Sequence, residues 1–155
     1  MREILFRGKS KATGDWRMGW YQPDFEYKWE LTEKDARHSD AAICFLNYNT
    51  RPDWSYVDAN TVGQYTGLID KNGTKIFEGD IVKLRLLAAK MEWKGVCEYR
   101  NGAFGLAWQY AGERFCTFAG TCNAEYEVLG NIHDNPELME KRNAEGHQLQ
   151  MEVYP

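Results

Sequence analysis

The sequence predicts a mainly β (α+β) fold, and three features carry that reading. Aromatic residues make up 14% of the 155 positions, and large rings suit the pleated, half-buried surface of a strand. Trp16, Met18 and Trp20 alternate with Arg17, Gly19 and Tyr21, the two-residue period of a strand with one buried face. Asn72-Gly73 and Asn101-Gly102 each separate two apolar runs. Asn-Gly is the strongest short-range hairpin signal, because both central residues of a type I′ turn need positive φ.

In chain order, Glu3 to Arg7 reads as a short strand, Gly8 to Asp15 as a turn, and the tryptophan run as the second strand of a hairpin. Thr32 followed by Asp35 resembles a helix N-cap with an acidic residue at its third position, so Glu33 to His38 is assigned one or two helical turns. Ala42-Ile43-Cys44-Phe45-Leu46 reads as a buried strand, with helical continuation as the alternative, and the polar, Pro-containing stretch from Asn47 to Asn60 as loop. Thr61–Leu68 and Lys75–Leu84 are extended runs on either side of Asp70-Lys71-Asn72-Gly73, and Trp93–Tyr99 and Ala103–Trp108 flank Arg100-Asn101-Gly102. Leu84 to Met91 has helix propensity and is an alternative place for a helical turn.

Tyr126 to Ile132 is a final strand whose poor alternation fits burial on both faces. Asn135-Pro136-Glu137 opens a short C-terminal helix, with Asn as cap, Pro at the first helical position and Glu at the positive end of the dipole; it ends before Gly146. Gln148 to Pro155 fits strand, partner-binding tail or disorder equally well. The expected organisation is an N-terminal hairpin and mixed region over 1–60, a β region over 61–135, and a short helix and tail over 136–155. Ile76, Ile81, Phe104, Val128 and Ile132 are expected to share one core within 61–135. Gly79-Asp80-Ile81-Val82 followed by Lys94-Gly95-Val96 resembles the strand openings of small SH3-like barrels, so the C-terminal half is expected to be such a barrel or a partly open one, since closure removes exposed edges.

Composition narrows the function classes. A net charge of −4 argues against general nucleic-acid binding, which needs clustered Lys and Arg. The first twenty residues nevertheless hold Arg2, Arg7, Lys9, Lys11 and Arg17 against Glu3 and Asp15, a local positive excess. The N-terminal apolar run is too short for a signal peptide and no run of apolar residues is long enough for a transmembrane helix, so a cytoplasmic address and no membrane partner are expected. In that compartment Cys44, Cys97, Cys116 and Cys122 should stay reduced. The Cys116–Cys122 spacing lacks a second ligand pair, so neither a structural metal nor a cofactor is expected.

Glu78-Gly79-Asp80 places two carboxylates two residues apart, which suits a divalent cation or a shared proton. A tight turn into a strand is the favoured reading, since no third ligand is signalled. Gly63-Gln64-Tyr65-Thr66-Gly67 lacks the Lys and the strand–loop–helix setting of a phosphate loop. Cys97 as nucleophile with His133 as base is the one enzymatic pairing, against the favoured reading of Cys97 as a buried, inert thiol. His38 and His147 sit in polar surroundings. Arg7, Lys9, Trp16, Arg17 and Trp20 interleave cations with aromatics, a combination that tracks a nucleic-acid backbone and stacks its bases. The favoured alternative puts both Trp residues in a core beneath solvated Arg heads. These five are the candidate partner-binding residues.

Taken in order, several phrases point to one family. They are Arg2-Glu3-Ile4-Leu5-Phe6-Arg7, Val62-Gly63-Gln64-Tyr65-Thr66-Gly67-Leu68, Asp70-Lys71-Asn72-Gly73, Ile76-Phe77-Glu78-Gly79-Asp80-Ile81-Val82, Tyr99-Arg100-Asn101-Gly102-Ala103-Phe104-Gly105 and Glu127-Val128-Leu129-Gly130-Asn131-Ile132-His133-Asp134-Asn135-Pro136-Glu137-Leu138. This series resembles the YopX family of phage and prophage proteins, over the start of the chain and most of residues 61–139. The resemblance implies a phage-derived gene, the host cytoplasm, a mainly β fold containing a barrel, and no assigned catalytic residues. Function is then expected to be non-enzymatic: an accessory interaction protein that self-associates as a homo-oligomer through aromatic surface and a sheet edge, with a host or phage protein as a further partner. Association with nucleic acid through the barrel and the basic hairpin is the alternative.

Overall fold

The computed structural model describes residues 3–23, 41–46, 51–88, 91–109, 113–118 and 123–140. The chain divides into two units, Met1–Ile69 with Lys75–Glu78, and Asp70–Thr74 with Gly79–Pro155. The first unit carries β1 (Phe6–Lys9), β2 (Trp16–Gln22), β3 (Ala41–Leu46), β4 (Pro52–Val57), β5 (Gly63–Ile69) and β6 (Lys75–Phe77), in the sheet order β4-β3-β2-β1-β5-β6. The second carries β7 (Asp80–Leu86), β8 (Met91–Arg100), β9 (Ala103–Gln109), β10 (Glu113–Thr117) and β11 (Ala124–Asn131), in the order β10-β9-β8-β7-β11, followed by a short helix, α1 (Glu137–Glu140). Every named strand pairing is antiparallel. The protein is mainly β, as expected, and no helix among the described residues is long and apolar enough to cross a membrane.

In the first sheet β1 and β2 form the expected hairpin, in the register Lys9 to Trp16 and Phe6 to Gly19. The sheet packs Phe6, Tyr21, Phe45 and Val62 around Ala41, Ile43 and Val57. At its far end Ser10 bridges to Val57, bringing the end of β4 back to the end of β1. Gly19 is there because nothing larger fits: a Cβ would overlap the Cys44 carbonyl. Ala41–Leu46 is strand, as read first, while the expected loop over Asn47–Asn60 contains β4 and a 3₁₀ turn at Ala59–Thr61. That turn is capped by Asp58, whose Oδ1 accepts from Asn60 N at 3.0 Å. The possible helix at Glu33–His38 lies outside the described residues.

The second sheet does not close into a barrel. Its two ends are β10 and β11, which are not paired with each other. Leu84–Met91 holds the end of β7, a turn and the start of β8 rather than a helical turn. The β8–β9 hairpin turns on Asn101 (φ 51°) and Gly102 (φ 82°), the two positive φ values of the predicted type I′ geometry. Asn72-Gly73 differs: only Gly73 has positive φ (84°), and its N–H donates to the Asp70 carbonyl at 3.0 Å. The Asp70 carboxylate sets this turn, accepting at Oδ1 from Asn72 N and Thr74 N, both at 2.8 Å. Such a side-chain cap competes with the two-residue turn and lengthens the loop to Asp70–Thr74.

The proposed single core divides. Ile76 belongs to the first unit and Ile81, Phe104, Val128 and Ile132 to the second. Ile76 and Ile81 are fully buried, Phe104 and Val128 half-buried, and Ile132 is 39% exposed. Ile132 lies past the last residue of β11, in a turn built by Asn131. The Asn131 Oδ1 accepts from His133 N at 3.0 Å and Asp134 N at 2.9 Å. The weak alternation of β11 reflects no burial on both faces. It is the last strand of its sheet, and a bulge between Val128 and Gly130 shifts its register. Asn135 turns its side chain back to the strand end, accepting from Asn131 N at 3.4 Å, and the Leu138 carbonyl accepts from Lys94 Nζ.

Candidate functional site: the outward face of the first sheet

Residues opposite each other on antiparallel strands share a face. Lys9 lies opposite Trp16 and Arg7 opposite Met18, while Trp20 lies opposite Cys44, which lies opposite Trp54. Arg7, Lys9, Trp16, Met18, Trp20, Cys44 and Trp54 therefore line one face. The opposite face holds the cluster around Ile43 and Val57. Four of the predicted residues, Arg7, Lys9, Trp16 and Trp20, are thus brought together. Arg17 is not: it lies opposite Gly8 on the other face, its guanidinium 5.9 Å from the Phe45 ring.

The Arg7 guanidinium sits 4.6 Å from the Trp16 ring and 4.9 Å from the Phe77 ring, and donates to the Glu78 carbonyl at 3.3 Å. The Lys9 ammonium is 5.8 Å from Trp16. Each such contact is worth about 0.5–1 kcal/mol at an exposed site, so Trp16 is a ring that holds cations in place. Trp16 is half-buried, but on the face opposite the cluster around Ile43 and Val57 rather than in that core. Trp20 is 59% exposed and not part of a core, because its position in the register turns it outward. Met18 (52%), Leu46 (55%) and Trp54 (38%) are exposed beside it. Trp54 escaped the sequence reading because Asn47–Asn60 looked like loop. The signal was the alternation of Trp54 and Tyr56 with Asp53, Ser55 and Val57.

The family model for the YopX protein matches residues 5–140. The chain belongs to the YopX family. None of the curated proteins matches it. Among solved structures it is similar to protein EF1440 from Enterococcus faecalis, at 21% identity over 90% of this chain and 99% of that one, with a TM-score of 0.46.

The other motifs of this YopX family member resolve into structural parts. Gly79 has a φ of 79°, the turn conformation expected between Glu78 and Asp80. The Glu78 carboxylate accepts from Gln64 N at 3.0 Å, and Asp80 is buried at the start of β7. Gly63 lies against the Glu78 backbone within β5, a close strand contact. Cys97 is fully buried; Cys44, Cys97 and Cys116 are not in disulfides. His38, His147 and Cys122 lie outside the described residues, among which no cluster of three His, Cys, Asp or Glu residues has metal-holding geometry.

On the second sheet a shallow depression is lined by Lys71, Lys83, Arg85, Glu92, Glu125, Tyr126 and Glu127. Its floor is a lattice of exposed ion pairs: Lys71 with Glu127 at 2.9 Å, Lys83 with Glu92 at 3.1 Å and Arg85 with Glu92 at 3.6 Å. The hydrogen bond to Glu127 raises the pKa of the Lys71 ammonium above its ordinary value. Solvated pairs of this kind contribute little to stability and leave no side chain aimed at a ligand.

Proposed function

We propose that this chain is a non-enzymatic protein-interaction module that self-associates through the β10 edge of its second sheet. The two edges of that sheet are unlike, and this difference carries the reading. The outer side of β11 is occupied by the turn Asp70–Thr74: Lys71 N donates to the Tyr126 carbonyl at 2.9 Å, and Val128 N to Asp70 Oδ2 at 3.0 Å. At the other end, β10 has no strand beyond it among the described residues. An edge of that kind pairs with another chain unless charge, a bulge or a cover prevents it, and a two-fold pairing satisfies it without growing into fibres. The absence of chemistry in the proposal is supported by Cys97, whose full burial removes the one candidate nucleophile from solvent.

The order β10-β9-β8-β7-β11, four strands in sequence with the fifth returning beside the first, supports reading the second unit as an open relative of the small SH3-like barrels. The phage or prophage origin and the host-cytoplasm address rest on the family resemblance. Light scattering across a dilution series tests self-association: a mass of twice 18.0 kDa or more at high concentration is expected, and a mass near 18.0 kDa throughout refutes it.

A further inference from the structure

Building on self-association through the β10 edge, we infer that two copies pair β10 to β10 antiparallel about a two-fold axis at Phe115. Arg114 of each copy then lies opposite Cys116 of the other. β10 runs along β9 from Glu113 opposite Gln109 to Thr117 opposite Gly105, without a register shift. A Cβ on Gly105 would overlap the Cys116 carbonyl oxygen, so that carbonyl points into β9. In an antiparallel strand the N–H and C=O of one residue point to the same side, and successive residues alternate. Arg114 and Cys116 therefore serve the β9 ladder, and the backbone groups of Glu113, Phe115 and Thr117 face outward.

Among the described residues no strand lies on that outward side. The Thr117 carbonyl accepts from Cys116 Sγ at 3.7 Å, a weak donor that a backbone N–H displaces. β10 carries no proline and no bulge, two of the devices that blunt an edge.

A two-fold axis sets its central residue opposite itself and every other residue opposite a different one. Centred on Phe115, all the outward residues find partners: Phe115 meets Phe115, and Glu113 meets Thr117 of the second copy. Moving the axis to Cys116 leaves Glu113 without a partner in β10. Moving it to Arg114 leaves Thr117 without one and sets Arg against Arg, an unfavourable cross-strand pair. An axis at Glu113 or Thr117 keeps fewer pairs still. Side chains agree with the backbone at Phe115, since a half-buried ring then meets its copy. The Arg100 guanidinium beside that ring, at 5.4 Å, is paired with Glu98 at 2.6 Å and brings no bare charge to the axis.

The test uses the full chain carrying Arg114→Cys, an exposed position, oxidised with diamide at a concentration where light scattering shows oligomer. In this register positions 114 and 116 form a non-hydrogen-bonded pair with Cα atoms about 4.5 Å apart, inside the span of a disulfide. Diamide takes up the two thiol hydrogens and is reduced to its hydrazine as the S–S bond forms. A dimer on a non-reducing gel is expected, about ten-fold above wild type, whose Cys116 residues would sit about 7–8 Å apart on the diagonal. Peptide mapping should place the bond between position 114 and Cys116 of the other copy. Phe115→Pro removes an outward N–H that β9 does not use, and should leave a folded monomer. Urea unfolding of both variants checks the fold.

An oligomer that forms no bond between positions 114 and 116 overturns the register while self-association stands. So does a wild-type dimer linked as readily through Cys116 to Cys116, or a folded Phe115→Pro chain that keeps its oligomer mass. A wild-type monomer at every concentration removes the β10 contact itself, and the register with it.

Discussion

Asp70 is buried to 95% and holds three backbone N–H groups: Asn72 and Thr74 at 2.8 Å and, 58 residues away, Val128 at 3.0 Å. Replacing it with Ala deletes all three hydrogen bonds. A hydrogen bond to a charged group is worth about 1.5–3 kcal/mol net. Asn72 and Thr74 are exposed and their amides regain water once the turn relaxes, so the expected loss is about 3–4 kcal/mol, a large share of the roughly 5–15 kcal/mol that holds a domain together. With a urea dependence of about 2 kcal/mol per molar, the midpoint falls by about 1.5–2 M.

Asp70→Asn should lose less, since its carbonyl oxygen still serves the turn while its NH₂ meets the Val128 N–H donor to donor. Burial acts to raise the Asp70 pKa, but the hydrogen bonds from Val128, Thr74 and Asn72 outweigh it and hold the carboxyl below its ordinary 3.8. A group depressed on folding stabilises fully above its unfolded pKa and loses that contribution as pH falls through the folded value. The gap between wild type and Asp70→Asn should therefore be flat near neutral pH and shrink only below about pH 4. Hydrogen exchange at the Val128 amide reads the same contact locally: protection should collapse in Asp70→Ala. An unfolding free energy of Asp70→Ala within about 0.5 kcal/mol of wild type, with Val128 still protected, would refute the reasoning.

Gly19→Ala should destabilise the first unit by about 2–4 kcal/mol, read as a lower thermal midpoint, because the added methyl overlaps the Cys44 carbonyl in the neighbouring strand. Asn101→Val should cost about 1–2 kcal/mol in urea unfolding, a β-branched residue being forced to a φ of 51°, while Asn101→Gly should be close to neutral.

Much of this fold was legible locally. The alternation of Trp16, Met18 and Trp20 gave β2, and Asn101-Gly102 gave a turn with both φ values positive. Pro52 and the polar residues around it hid β4, since its alternation is mixed and a proline is tolerated at the first position of a strand. The bulge in β11 erased a two-residue period that would have marked it as an edge.

The candidate site was legible only in part. Arg7, Lys9, Trp16 and Trp20 were visible as an interleaved set, but Arg17 belonged to the opposite face and Trp54 came from a strand more than thirty residues further on. Backbone sterics and side-chain alternation act between near neighbours, so the amino-acid order by itself determined which segments extend and where two of them turn. Which face became the interior, which tryptophans stayed in water and which amide closed on Asp70 followed from long-range strand pairing. Register is set there by what each face buries, and a shift of one residue would exchange the two faces throughout.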